Sequence, residues 1–139
     1  MEQREGLQTV NAWIQTFNRI GKSESNFHSF ELVKAGDVVN ATLVLEGVEV
    51  GGTCLAGPYA LASLALSGSR VSLKLAAGEY QRCAGGGPDE VVERREPKYV
   101  DKVIDLGGGP ELVNAVKAVR TEGDFVSLLE AALELAAGS

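Results

Sequence analysis

Two stretches of this chain alternate apolar and polar residues, and this alternation constrains the fold more than any other feature. In 38–47, VVNATLVLEG, every second residue from Val39 to Leu45 is apolar, and 70–76, RVSLKLA, repeats the pattern from Val71. A period of two places alternate side chains on opposite faces of a strand. We therefore expect two strands, each with one buried face, in a mainly antiparallel sheet.

Further strands are predicted on either side of these two. Residues 26–33 are rich in aromatic and apolar side chains, and 79–83 are expected to pair with the preceding strand through a turn at 76–78. The segment 84–102 begins with glycines and continues with alternating charges, interrupted at Pro97. We interpret its charged part as two short exposed strands or an edge hairpin, which is either a binding edge or only a solvated hairpin.

Helical spacing marks two segments in the first half of the chain. Over 7–20, apolar residues recur three and four positions apart, which predicts an amphipathic helix. The apolar face consists of Val10, Trp13, Ile14, Phe17 and Ile20. Pro58 and Gly68 enclose an almost fully apolar run at 59–67. Proline at the start and glycine after the end are typical of a helix, so we predict a short central helix here.

The C-terminus is predicted to be helical. Pro110 opens a first helix that ends near Arg120, and a second helix covers 125–137. Thr121 and Asp124 have the spacing of a helix N-cap and its capping-box partner.

These elements together predict an α+β fold. It comprises a mainly antiparallel sheet, an N-terminal amphipathic helix, a short central helix and a helical C-terminus, in a single domain spanning 1–139. The segment 110–137 is a candidate oligomerisation element, because its last helix has too little polar surface for a free exterior position. The residues predicted to carry self-association are Phe125, Leu128, Leu129, Ala132, Leu135 and Ala136.

Charge and cysteine content limit the classes of partner and compartment. The formal net charge is −6, which disfavours broad electrostatic attachment to nucleic acid or anionic lipid. No apolar run is long enough for a membrane helix, and the charged N-terminus does not resemble a signal peptide. Cys54 and Cys83 lack CxxC spacing, so we expect two buried thiols and a cytoplasmic location.

The stretch VIDLGGGPEL at 103–112 resembles the strand–glycine–helix element of nucleotide-cofactor domains. Such a domain needs a second strand after the helix, with an acidic residue about 20 positions on. Only helical patterns follow Pro110, and Leu112 stands where a further glycine belongs. We therefore predict a glycine connection that leads into a helix, and no cofactor.

Catalytic and metal-binding patterns are weak. His28 is the single histidine, and no nucleophile elbow accompanies the serines near it. Asp101 and Asp105 share one side of a predicted strand, near Glu96, but we interpret them as solvated surface residues. One histidine and two distant cysteines are too few soft ligands for a metal. We predict no catalytic residues, no metal and no enzymatic activity.

Residues 7–76 resemble the PATAN-type module of prokaryotic signalling proteins. The matching residues are Gly36, Val39 and Ala41 in GDVVNA, then Gly57, Ala60 and Leu61 in GPYALASLAL, with RVSLKL as the last strand. The stretch TLVLEGVEVGGTCLA is an insertion relative to the family pattern. The resemblance implies a helix between the second and third strands, and a scaffold that docks protein partners without catalysis.

Two functions are therefore predicted. The first is a non-enzymatic protein–protein scaffold that binds itself and an unidentified protein partner, with no membrane attachment. The alternative is a single-stranded DNA- or RNA-binding protein that stacks bases on aromatic side chains beside a basic strip and oligomerises through its C-terminal helix. The predicted nucleic-acid contacts are Tyr80, Arg82, Arg94, Arg95, Lys98 and Tyr99.

Overall fold

The computed structural model describes residues 5–85 and 91–138 and has the α+β fold expected from the sequence. In chain order its elements are α1 (Glu5–Gly21), β1 (Ser25–Ala35), β2 (Val38–Val48), β3 (Cys54–Ser67), β4 (Arg70–Ala84), β5 (Val91–Gly107), α2 (Pro110–Ala118) and α3 (Glu122–Ala137). The five strands form one antiparallel sheet in the order β1-β2-β3-β4-β5. Gly36 and Gly68, both with positive φ, make the tight turns after β1 and β3.

One face of the sheet carries the three helices and the core. The two predicted alternations are confirmed, because Ala41 on β2 and Leu73 on β4 are buried with their apolar neighbours. Trp13 of α1 and Phe125 of α3 are buried against this face, and Phe125 lies 5.4 Å from the ring of Phe30 on β1. The opposite face carries no helix among the described residues.

The predicted central helix is wrong, because 59–67 belongs to β3. This strand lies in the middle of the sheet, between β2 and β4, so it is apolar on both faces and lacks a clear alternation. A proline is tolerated at position 58 of β3 because it lies outside the ladder with β2. Along β3, that ladder begins at Tyr59, one residue later. A Cβ on the neighbouring Gly57 would lie 2.0 Å from the carbonyl oxygen of Gly47, so glycine allows the two backbones to approach here.

The last two strands are longer and more continuous than the sequence predicted. There is no turn at 76–78: β4 runs unbroken from Arg70 to Ala84, and the pairing with β5 shifts register between Ala77 and Gly78. The charged segment is one long edge strand and not two, and Pro97 lies within it. The glycines that begin the segment 84–102 fall partly on residues 86–90, which lie outside the described residues.

The two cysteines form a disulfide, which corrects the prediction of free thiols. Cys54 at the start of β3 lies directly opposite Cys83 near the end of β4, with their Cα atoms 4.1 Å apart. Their separation of 29 positions reflects the length of the β3–β4 hairpin, which sequence spacing alone does not reveal.

The helix ends agree with their sequence signals. Pro110 occupies the first turn of α2 after a turn at Gly107, so the triple glycine is a connection, as predicted. Thr121 and Asp124 form the predicted capping box of α3. Of the three described helices, none has the length and apolarity needed to cross a lipid bilayer.

Candidate functional site

An apolar recess lies between α1 and α3, above the first two strands. This α1–α3 cleft has a volume of about 380 Å³. Apolar recesses of a few hundred Å³ with a few polar groups at the rim are typical of binding sites. Its lining residues are Trp13, Ile14, Phe17, Asn18, His28, Leu43, Leu45, Glu122, Val126, Leu129, Glu130 and Leu133.

The floor and one wall of the cleft are held rigidly. Trp13 is buried, and its indole N–H donates a hydrogen bond of 3.0 Å to the carbonyl oxygen of Leu61 in the central strand. Phe17, one helical turn later, stacks on Trp13 with ring centroids 5.5 Å apart. The indole is therefore fixed by the sheet, and it fixes the ring that forms the edge of the cleft.

The opposite wall is formed by α3. Val126, Leu129 and Leu133 stand three or four positions apart, so they share one face of the helix and point toward α1. The capping box at Thr121 sets where α3 begins and so places Glu122 in its first turn. Leu129 is buried while Val126 is 41 % exposed, so the wall runs from core to solvent.

Polar groups lie at the rim of the cleft. His28 Nε2 on β1 lies 3.2 Å from Glu122 Oε2, an ion pair when the imidazole is protonated. Glu130 lies two turns further along α3, and Asn18 lies on the α1 side. The rim therefore carries two carboxylates and one imidazole around an apolar interior.

Two apolar side chains of α1 lie at the solvent-exposed margin of the cleft. Ile14 and Phe17 belong to the predicted apolar face of α1, and they are 36 % and 43 % exposed. The predicted stripe on α1 is wider than the sheet can cover, so its outer side chains line the cleft instead. Sequence reasoning missed this site because its two walls lie more than 100 positions apart, although the width of the stripe was a usable signal.

A second group of polar side chains lies on the face of the sheet that carries no helix. Glu46 on β2 is largely buried and accepts hydrogen bonds from Arg82 on β4 at 3.1 Å and from Arg95 on β5 at 2.7 Å. Glu93 on β5 contacts the same two guanidinium groups, at 3.2 and 2.9 Å. This Glu46 cluster joins three strands and balances two positive charges with two negative ones.

Two tyrosines lie beneath the arginines of the Glu46 cluster. The guanidinium of Arg82 lies 5.4 Å from the ring centre of Tyr80, and that of Arg95 lies 5.4 Å from the ring centre of Tyr59. Burial raises the pKa of both phenols, and the hydrogen bond from Arg82 lowers the pKa of Glu93. The rings are nearly inaccessible, and the Tyr80 hydroxyl donates a hydrogen bond to the Gly47 carbonyl oxygen.

The residues predicted to contact nucleic acid do not converge on one face. Arg82 and Arg95 lie on the face without helices, where both are bound by carboxylates. Arg94 alternates with Arg95 and so points to the other face, and Tyr99 lines a small recess beside α1. Tyr80 is buried, and the side chain of Lys98 lies outside the described residues.

The residues predicted to carry self-association lie mostly inside the chain's own core. Phe125, Ala132 and Ala136 are fully buried and Leu129 nearly so, which leaves them little surface for pairing with a second copy. Leu128 is half-buried and packs on the same core. This corrects the predicted interface, because only Leu135 of the set is largely exposed.

Asp105, one of the acidic residues considered as a cation site, is hydrogen-bonded to other groups of the chain. Asp105 accepts hydrogen bonds from Arg70 at 2.6 Å and from the Gly107 amide at 2.8 Å, which lower its pKa. Within 5–85 and 91–138, His, Cys, Asp and Glu residues do not cluster in groups of three or more that could hold a metal.

No protein-family model matches this chain, and no curated protein is significantly similar to it. The central helix that the PATAN-type resemblance implied is a strand in this fold, while the resemblance itself stays a prediction. The geometry of the two surfaces is therefore the basis for assigning a function.

Proposed function

We propose that this chain is a non-enzymatic, homo-oligomeric protein-interaction domain whose α1–α3 cleft receives an apolar helical segment of a partner protein. The observation that carries the proposal is the cleft itself, an apolar recess of about 380 Å³ with a rigid aromatic floor. An amphipathic helix that inserts its apolar side chains between two helices is a recurrent mode of peptide recognition.

The apolar surface around the cleft favours a macromolecular ligand over a small one. Ile14, Phe17 and Val126 remain between about a third and a half exposed at the rim. A small molecule inside the cleft would leave these side chains in water, whereas a helix lying along it would cover them. The cleft and its surroundings therefore match a helix better than a compact metabolite.

The charge of the rim favours a basic partner. Glu122 and Glu130 flank the apolar interior on the α3 side, and the whole chain carries a net charge of −6. Lysines or arginines beside the apolar face of the partner helix would complement these carboxylates and speed association. The occupant that fits is therefore a basic amphipathic helix.

The single-stranded nucleic-acid alternative receives less support. Its stacking ring at Tyr80 is covered by Arg82, and the arginines of the uncovered face are neutralised within the Glu46 cluster. A cationic groove beside accessible rings is what such binding requires.

The expected cytoplasmic location also stays a prediction. The disulfide between Cys54 and Cys83 is more typical of oxidising compartments, or of the intracellular proteins of hyperthermophiles.

Trp13 provides the test, because it is the single tryptophan of the chain and forms the floor of the cleft. The probe is an amphipathic peptide of leucine and lysine with about 18 residues, or five helical turns. We expect a saturable change in tryptophan fluorescence, with a dissociation constant on the order of micromolar. A peptide of leucine and glutamate with the same pattern should not bind.

Matched variants locate the binding. Val126→Lys adds a charge at the rim and should weaken peptide binding at least about tenfold. Val103→Lys adds the same charge to a more exposed valine on β5, away from the cleft, and should leave binding unchanged. Absence of any fluorescence change, or equal binding by both valine variants, would overturn the proposal. If a labelled single-stranded oligonucleotide bound saturably and more weakly with added salt, the nucleic-acid alternative would replace it.

A further inference from the structure

The outer edge of β1 is long and regular, and no strand pairs with it within 5–85 and 91–138. β1 is the first strand in the sheet order, and its pairing with β2 continues without a shift from Ser25 to Ala35. Alternate residues of an edge strand direct their N–H and C=O groups away from the sheet. Proline is absent from SNFHSFELVKA, and its charged residues are Glu31 and Lys34. Such an edge can accept another strand.

Two exposed apolar residues stand on this edge. Phe27 and Val33 are each 50 % exposed. Phe27 lies opposite Glu46 on β2 and Val33 an even number of positions further along β1, so both point to the face without helices. They stand three residues before and three residues after Phe30. An antiparallel pairing centred on Phe30 would therefore place Phe27 of each copy opposite Val33 of the other.

We propose that β1 pairs antiparallel with β1 of a second copy of this chain, in the register that places the two Phe30 residues opposite each other. This inference rests on the homo-oligomeric part of the proposed function, but uses a surface other than the α1–α3 cleft. It moves self-association from the six predicted residues of α3, most of which are buried in the chain's own core, to the edge of the sheet.

The charges on β1 favour this register over its neighbours. Centring on Phe30 places Glu31 opposite Ser29, which keeps the two Glu31 carboxylates apart. Centring on Glu31 would instead place the two Glu31 carboxylates face to face. Centring on Ser29 would place Phe27 opposite Glu31, so neither apolar residue would gain an apolar neighbour.

The pairing has a consequence for the cleft. A two-fold axis perpendicular to the sheet reverses the strand direction and preserves the faces, so both helical layers lie on the same side. The two α1–α3 clefts, each with His28 of β1 at its rim, would then open beside a continuous ten-stranded sheet. A dimer of this kind can hold two partner segments on one surface.

Sedimentation velocity over a concentration series tests the proposal. We expect the full chain to approach twice its mass of 14.6 kDa. The dissociation constant should be on the order of micromolar, because one strand pairing buries less area than a standard interface. A chain that remains at 14.6 kDa at every concentration would overturn the proposal.

Charge substitutions test the register. Phe27→Glu with Val33→Glu places like charges opposite each other twice, and should leave a monomer. Phe27→Glu with Val33→Lys places opposite charges there and should restore the dimer. The two variants differ only at position 33, so any effect of the carboxylate introduced at position 27 on the nearby Arg95 is common to both. If both variants behave alike, the register is wrong.

A control on β5 separates edge pairing from net charge. Val91→Glu with Val103→Glu adds the same charge at residues that are 61 % and 65 % exposed, and should leave the dimer intact. The Leu/Lys peptide titration is repeated on each variant. A monomeric variant that still binds the peptide supports β1 pairing and the cleft together, whereas a dimer that binds no peptide overturns only the cleft.

Discussion

The two edges of the sheet differ in regularity, charge and attachment. β1 pairs continuously with β2, whereas β5 pairs with β4 through two register shifts and contains Pro97. Charged residues occupy about half of β5, and Arg95 and Glu93 tie it to the Glu46 cluster. Bulges, proline and charge are the features by which proteins prevent unwanted strand addition.

The difference teaches that one edge is closed to further pairing and the other is available. β5 combines all three protective features, and the neighbouring strands are joined by the Cys54–Cys83 disulfide and the Glu46 cluster. β1 has two charged residues, Glu31 and Lys34. Among the described residues, no disulfide or ion-pair cluster like these covers its outer edge. We therefore expect substitutions near β5 to change stability, and those on β1 to change association.

The largest effect on stability should follow loss of the disulfide. Cys54→Ser with Cys83→Ser frees a loop of 29 positions in the unfolded chain, which should lower the free energy of unfolding by about 3.5 kcal/mol. Urea denaturation without reductant measures the difference. Dithiothreitol should lower the stability of the wild-type chain similarly and leave the double variant unaffected, and equal stability of both proteins without reductant would contradict the bond.

A smaller effect should follow loss of Glu46. Glu46→Ala leaves Arg82 and Arg95 without the carboxylate that they share. The free energy of unfolding should fall by about 2 kcal/mol, and not more, because both arginines are partly solvated. Glu31→Ala removes an exposed carboxylate from β1 and should change the free energy of unfolding by less than about 0.5 kcal/mol. If urea denaturation gave equal losses of unfolding free energy for the two variants, the Glu46 cluster would contribute no more to stability than an exposed residue of β1.

The smallest effect should appear as a pH dependence of stability. The hydrogen bond from Arg82 lowers the pKa of Glu93 in the folded chain, so the ionised form favours folding. This contribution is complete above the ordinary carboxyl pKa of about 4 and is lost as the pH falls through the lower folded value. Glu93→Gln should therefore flatten the acid side of a stability–pH profile, modestly because the carboxylate is 40 % exposed.

The control for this pH effect lies on the other edge. Glu31→Gln removes an exposed carboxylate outside the Glu46 cluster and is measured in the same way. A profile unchanged by Glu93→Gln, or flattened equally by Glu31→Gln, would contradict a special role for the cluster.

Local patterns predicted much of the secondary structure. The alternation from Val39 and from Val71 located β2 and the first half of β4, and helical spacing located α1. Thr121 and Asp124 predicted the start of α3 because a capping box depends on neighbouring residues only.

The central strand resembles a helix in sequence for a physical reason. A strand buried on both faces is apolar throughout, and over a run as short as 59–67 it cannot be told from a buried helix by periodicity. Pro58 and Gly68 reinforce the error, although Pro58 lies just beyond the β2 ladder and Gly68 makes a hairpin turn. Only the neighbouring strands on both sides identify this segment as sheet.

The sequence by itself determined the fold class, the buried faces of two strands and the ends of the last two helices. These features depend on side-chain periodicity and on contacts within one helical turn. The tertiary structure decided the Cys54–Cys83 bond, the Glu46 cluster and the α1–α3 cleft, each of which joins residues far apart in the chain. Their proximity follows from strand register and helix packing, which a period along the chain does not encode.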